Sequence, residues 1–198
     1  TRLAALAERA ADLVDLAAVT CLRGQIFMTL GRPDRCIEVC LDHLRRVGIA
    51  WSTPATDEEV RREYDALRQR LGARPIESLL ALPPMTDRIA AATLNVLNEA
   101  FAPACFSDRN LSCLIALRAG SLSLEHGNGE ASGAAYAMLA AVLGSHFGDY
   151  QTALRIGELG VALVERDQVE RFKARVYMAF GLSVIFWLRP VHSSLEYF

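Results

Sequence analysis

The chain has 198 residues, 52% of them hydrophobic, 22% charged and 8% aromatic, which is too apolar for a disordered segment. Its 30 Ala and 28 Leu suit helices and fall short of the Val, Ile, Thr and aromatic content that an all-β domain wants. A formal net charge of −2 leaves no basic footprint for nucleic acid or an anionic membrane.

In chain order, apolar residues recur at helical spacing nearly throughout. The first predicted helix runs from Leu3 to Leu30, with room for a break near its middle. Gly31-Arg32-Pro33-Asp34 turns the chain into a second helix that ends near Val47, with Arg45 and Arg46 complementing its C-terminal dipole. Residues 49–84 read as a helical insertion. Trp51-Ser52-Thr53-Pro54 forms a loop, and Thr56 and Glu59 have the spacing of a capping box for a charged helix reaching Leu71. Gly72-Ala73-Arg74-Pro75 breaks that helix, and a short one from Ile76 to Leu82 stops at Pro83-Pro84. Further helices are predicted at about 86–102, 108–126, 130–147, 149–166 and 168–187, with a partial one from Val191. The expectation is one all-α helical-repeat domain over 1–198. It has a first hairpin at 1–48, the insertion at 49–84, and further hairpins over 85–198, the last truncated. The chain opens without Met and stops at Phe198 inside helical patterns, which reads as a piece of a longer protein.

Two segments invite a membrane test. Ala131 to Gly148 runs 18 residues without a formal charge and Val176 to Leu188 runs 13. The Ala, Gly and Ser content of the first, and the shortness of the second, point to buried helices instead. Thr1 to Ala18 carries Arg2, Glu8, Arg9, Asp12 and Asp15, so no signal peptide is read there. The five cysteines (Cys21, Cys36, Cys40, Cys105 and Cys113) lie in apolar helical patterns and read as reduced, buried and cytoplasmic.

Internal similarity carries the most information. Gly24, Phe27, Gly31, Cys36, Cys40 and His43 follow the order of a helical hairpin. A small residue and an aromatic come first, then a turn glycine, then small packing residues in the second helix. The same frame reads Gly148-Asp149-Tyr150 as a turn followed by Ala153, Gly157 and Gly160, and a third copy begins at Gly181. Hairpins of this kind bury their apolar faces by stacking.

Four segments carry a family resemblance: LGRPDRCIEVCLDHLRRVGI (30–49), IESLLALPPMTD (76–87), FSDRNLSCLIALRAGSLSLEHGN (106–128) and YAMLAAVLGSHFGDYQTALRIGELGVALVER (136–166). They resemble the tetratricopeptide-like helical-repeat region of large bacterial signalling proteins. There a serine/threonine-kinase-like domain and a P-loop ATPase precede the repeats, and a GAF domain and histidine kinase commonly follow. The resemblance includes the insertion. It implies a right-handed solenoid acting as a scaffold between ATPase and output module, and no catalytic motif of those domains falls on a residue here.

The chain has no G-x-x-x-x-G-K-[ST], no H-E-x-x-H and no kinase catalytic-loop motif. No catalytic, cofactor-binding or metal residue is assigned and no cofactor is expected. Cys36, Cys40 and His43 share one helical face. They could ligate a soft metal, but they also occupy the packing positions of the hairpin frame. Asp57, Glu58, Glu59, Glu63 and Asp65 alternate with Arg61, Arg62, Arg68 and Arg70, as on a solvated, ion-paired face. Tyr177, Phe180, Phe186 and Trp187 form an aromatic cluster, read as core or as a ligand groove. His126, His146 and His192 are scattered, and Ser107, Ser112 and Ser121 lack a companion base.

The expected function is that of a non-catalytic interaction and signal-transmission scaffold. The alternative is a small-molecule or peptide sensor, with a pocket between the C-terminal aromatic helices and the helix at 130–147. Expected partners are protein domains of the same parent chain or a signalling partner, with neither nucleic acid nor membrane. A homodimer through exposed repeat ends is also expected, because the truncated last hairpin leaves Tyr177, Phe180 and Trp187 short of cover.

Overall fold

The structure, a computed structural model, describes residues 6, 7 and 9–185. Its regular elements are helical: α1 (Leu13–Thr29), α2 (Pro33–Arg46), α3 (Asp57–Leu71), a 3-10 turn at Ile76–Ala81, α4 (Arg88–Ser107), α5 (Arg109–His126), α6 (Ser132–Ser145), α7 (Tyr150–Arg166), α8 (Glu170–Phe180) and a π turn at Gly181–Ile185. Among the described residues there is no strand, so the chain is all-α. The partial helix expected from Val191 lies outside the described residues.

Carboxylates set most of the helix starts. Asp12 accepts from the backbone N–H of Val14 and Asp15, both at 2.9 Å. That cap starts α1 at Leu13; Leu6 and Ala7 before it are also helical, so among the described residues the expected first helix is broken at 9–12. Asp87, Asp108 and Asp149 cap α4, α5 and α7 in the same way, and the Thr56–Glu59 capping box forms at α3. Two bounds differ from expectation. Helix α4 continues to Ser107 through Pro103, where the sequence pattern stops near 102. A helical proline leaves the carbonyl four residues back without its N–H. That carbonyl, Glu99 O, instead accepts from Cys36 Sγ at 3.9 Å. At the other end, α8 gives way at Phe180 to a wider π turn where one helix to 187 was expected.

Helices joined by short connections pack together: α1 on α2, α4 on α5, and α6 on α7. Helix α4 also lies against both α1 and α2, α6 against α4 and α5, and α8 against α6 and α7. The tightest approach is between α6 and α7, where a Cβ added at Gly160 would stand 2.7 Å from Gly133 O. Gly24 plays the same part between α1, α2 and α4, with Cys36 Sγ and Glu99 Cγ each 3.1 Å from such a Cβ. Burial of α5 and α6 on nearly all sides explains the uncharged run at 131–148, which includes the 14-residue α6. Among the described residues the helix long and apolar enough to cross a membrane is a different one, Arg88–Ser107, with 56% of its apolar window buried.

The 49–84 segment is bound to this array along its length. Helix α3 packs on α5 and the 3-10 turn on α7. Tyr64 stacks on Phe147 with ring centroids 4.0 Å apart. Arg155 forks onto Glu77 with both bonds at 2.8 Å, and this pairing holds the Glu77 carboxyl down at about 2. Asn128, only 7% exposed, donates its side-chain amide to Leu79 O at 2.8 Å and accepts from the Tyr136 hydroxyl at 3.2 Å.

Candidate functional site

Two grooves open along one face of α4. The first, about 630 Å³, lies between α1 and the N-terminal half of α4, bordered by Arg171 of α8. The second, about 510 Å³, lies among the C-terminal half of α4, α6, α8 and the π turn. Arg88, Ala92, Asn95, Asn98, Ala102 and Phe106 of α4 recur at three and four residues and so form one stripe that serves both. Across from it α8 supplies Arg171 to the first groove, and Arg175 and Met178 to the second, again at helical spacing.

The chemistry changes along the stripe. Around the first groove stand Arg88, Gln25, Asn95 and Arg171; the second is apolar, with Phe101, Met138, Met178 and Leu182. Phe106 at its rim is 88% exposed. Arg175 ties the two walls together by donating to Asn98 O at 3.0 Å. Among the described residues no carboxylate lines either groove. The nearest, Glu99, is 9% exposed, accepts from Gln25 Nε2 at 3.4 Å and lies 3.9 Å from Arg175. Asn98 donates its amide N–H to Leu94 O, while its Oδ1 is buried without a hydrogen-bond partner, as is Asn95 Oδ1.

Beneath the first groove lie the thiols. Burial, then the Glu99 carboxylate, pushes Cys21 up to about 12. A hydrogen bond between Cys36 and Cys40 lowers the first and raises the second, which burial raises further. Cys36, Cys40 and His43 are all buried on one face of α2, and burial holds the His43 imidazole below its usual range. Both of its ring nitrogens are without a partner. Among the described residues no group of three or more His, Cys, Asp or Glu side chains is arranged to hold a metal ion.

The expectation of five buried thiols is corrected at one position: Cys105 is exposed on the rim of the second groove, because it follows Pro103 on the open face of α4. Partial burial raises its pKa against a hydrogen bond with Ser112 that lowers it, but the other four thiols are buried, and access decides reactivity first. Ellman's reagent added to the native chain is therefore expected to titrate one thiol quickly and four only on unfolding. A Cys105→Ser chain that still shows a fast thiol would contradict this.

Other residues singled out from the sequence do not converge. Phe180 is 1% exposed and packs where a Cβ on Gly157 would meet its ring at 2.4 Å, so the expected lack of cover there is corrected. Tyr177 turns away to donate to Glu165 at 2.7 Å. Phe186, Trp187 and His192 lie outside the described residues. His126 stands 3.5 Å from Asp87, and His146 lies edge-on to Phe147. Ser107 and Ser112 donate to backbone carbonyls, and Ser121 Oγ is buried without a partner. Arg62, Arg68 and Arg70 belong to α3, where Arg70 pairs with Glu125 of α5 and Arg68 lies 5.8 Å over the Tyr64 ring. A groove does occur between α6 and α8, and among the described residues its aromatic side chains come from α4.

Sequence reasoning missed Arg88, Asn95, Asn98, Arg171 and Arg175. The available signal was the pair of asparagines three apart inside an otherwise apolar helix, where an amide side chain has little helical use. Comparison of the chain with protein-family models, with curated proteins and with solved structures finds no match in any of the three.

Proposed function

We propose that this chain is a non-catalytic interaction and signal-transmission scaffold. In this reading it is a tetratricopeptide-like, right-handed stack of helical hairpins within a larger bacterial ATPase or sensor kinase. One observation carries this reading: α4, α6 and α8 each seat on both helices of the pair before them. Such a register propagates in one direction and leaves the first helices of successive pairs along a common face, where both grooves open. The segment at 49–84 straps the opposite side through α5 and α7. A change in angle between pairs would then widen or narrow the grooves at one end and pass to whatever adjoins the other.

The test is hydrogen exchange on the longer protein, with and without nucleotide. Amides of α4, α6 and α8 are expected to change protection together with output activity. Unchanged protection across a change in output would remove the signal-transmission role. A second reading, a small-molecule or peptide sensor regulating an attached output domain, is favoured by the 510 Å³ apolar groove, which has the size of a small-molecule site. Native mass spectrometry separates the two, since a sensor purified with its ligand carries a small extra mass that is lost on denaturation.

A further inference from the structure

We infer, resting on the scaffold reading, that the grooved face of α4 and α8 binds an extended protein segment with an apolar anchor at one end and carboxylates about six residues away. Three independent features converge on that chemistry. The first is charge: Arg88 and Arg171 border one groove and Arg109 and Arg175 the other, with no carboxylate among the described residues of either lining. In a chain with 23 acidic and 21 basic residues that bias is local, and it favours an anionic partner. Arg88 and Arg171 are exposed, and among the described residues neither has an ion-pair partner.

The second is the apolar end. Phe106 at 88% exposure, Leu182 at 55% and Met178 at 51% surround a groove floored by alanines and Met138. Aromatic and thioether side chains around a small floor accept a branched or aromatic anchor. The third is the pair of asparagines between the two ends. Asn98 is 1% exposed, its amide N–H groups are engaged by Leu94 O and Ala131 O, and its Oδ1 has no donor. Asn95 Oδ1, one turn back and bordering the other groove, is in the same state. A buried acceptor without a donor is unfavourable. A helical partner has no free backbone N–H along its length, whereas an extended segment has one at every residue. Both oxygens are closed to solvent in the free chain, so they favour an extended occupant where its seating parts α8 from α4 and uncovers them.

Spacing follows from geometry. From Phe101 to Arg88 the α4 axis covers roughly 20 Å at 1.5 Å per residue, which about six residues of extended chain span. The apolar anchor belongs beside Phe101 and Phe106, and the carboxylates belong beside Arg88 and Arg171.

The test is fluorescence anisotropy of the 198-residue chain with a labelled ten-residue peptide that has two leucines at one end and two aspartates at the other, joined by a neutral spacer. Binding is expected to weaken at least tenfold when the aspartates become asparagines, and by a similar factor in Arg88→Glu/Arg171→Glu. Lysines in place of the aspartates should restore affinity to that doubly reversed chain. Both arginines are exposed, so the variant tests recognition without disturbing the core, and circular dichroism checks its fold. Occupancy should also slow labelling of Cys105 on the groove rim. Equal binding of the asparagine peptide, or tighter binding of a stapled helical peptide of the same composition, would overturn the inference. If the peptides fail while hydrogen exchange in the longer protein still follows nucleotide, this inference falls and the scaffold stands. If the peptides bind while exchange and output stay uncoupled, the docking face stands and signal transmission falls.

Discussion

Gly127→Ala is expected to lower the thermal unfolding midpoint by roughly 6–12 °C, the equivalent of about 3 kcal/mol for a chain of this size. Two independent penalties meet at this residue. Gly127 ends α5 at φ 93° and ψ −177°, a backbone region open essentially to glycine alone. A Cβ there would also stand 2.1 Å from Pro83 O, which is backbone and has no rotamer in which to retreat. Relief requires Pro83 to move. Pro83 O accepts the Asn128 N–H at 2.8 Å, and Asn128 O in turn accepts from Met85 N at 2.9 Å. Displacing that pair pulls on the Asn128 side chain and its bonds to Leu79 O and the buried Tyr136 hydroxyl. The loss should therefore be local as well as global. Hydrogen exchange should show residues 76–85 deprotected before the rest of the array. Arg155→Ala, which removes an exposed fork to Glu77, should barely move the midpoint, as surface ion pairs contribute little. A Gly127→Ala chain that melts within 2 °C of the parent would mean the 49–84 segment is not fastened at this turn.

The fold was legible in the sequence wherever a local rule decided it. Asp108 and Asp149 start helices because a short carboxylate reaches the first free N–H groups, and Thr56 with Glu59 does so in both directions. Where two local signals competed, the reading slipped. The apolar periodicity runs on through residues 9–12, but there the described chain leaves the helix of Leu6 and Ala7, and the Asp12 cap starts α1 at Leu13. The predicted helix ended near 102, yet α4 runs on through Pro103, and Cys36 of α2 takes up the carbonyl that the proline frees. That partner is 63 residues from Glu99 and no local window contains it. The candidate site was invisible for the same reason. Arg171 and Arg175 of α8 and Asn95 and Asn98 of α4 are 73 or more positions apart in sequence and form no motif there. Only the seating of α8 on α6 and α7 brings them to the edges of shared grooves. Cys105 shows the converse, since an apolar neighbourhood in sequence does not say which side of α4 a neighbour covers.

Gly160→Val should be the most damaging single change on α7, at about 3 kcal/mol or more, and its effect should reach the grooves without touching them. At Gly160 a Cβ would stand 2.7 Å from Gly133 O and 3.2 Å from Ala137 N, both backbone atoms of α6. At Gly157, one turn away, the obstruction is the Phe180 ring at 2.4 Å, a side chain and not backbone. Glycine is otherwise the poorer helix former by about 1 kcal/mol, so alanine at either site recovers part of what the clash costs. Gly157→Ala should therefore destabilise less than Gly160→Ala, and Gly160→Val more than both, as read by denaturant midpoints. Because α8 rests on both α6 and α7, any variant that folds with this pair splayed must carry Arg171 and Arg175 away from α4. Gly160→Ala, the mildest such change, should then weaken the aspartate-bearing peptide severalfold while leaving α1, α2 and the Cys21 side of the first groove as they are. If its affinity is unchanged although its stability has dropped, the width of the grooves is not set by the α6–α7 crossing, and an angle between pairs is not the quantity this array transmits.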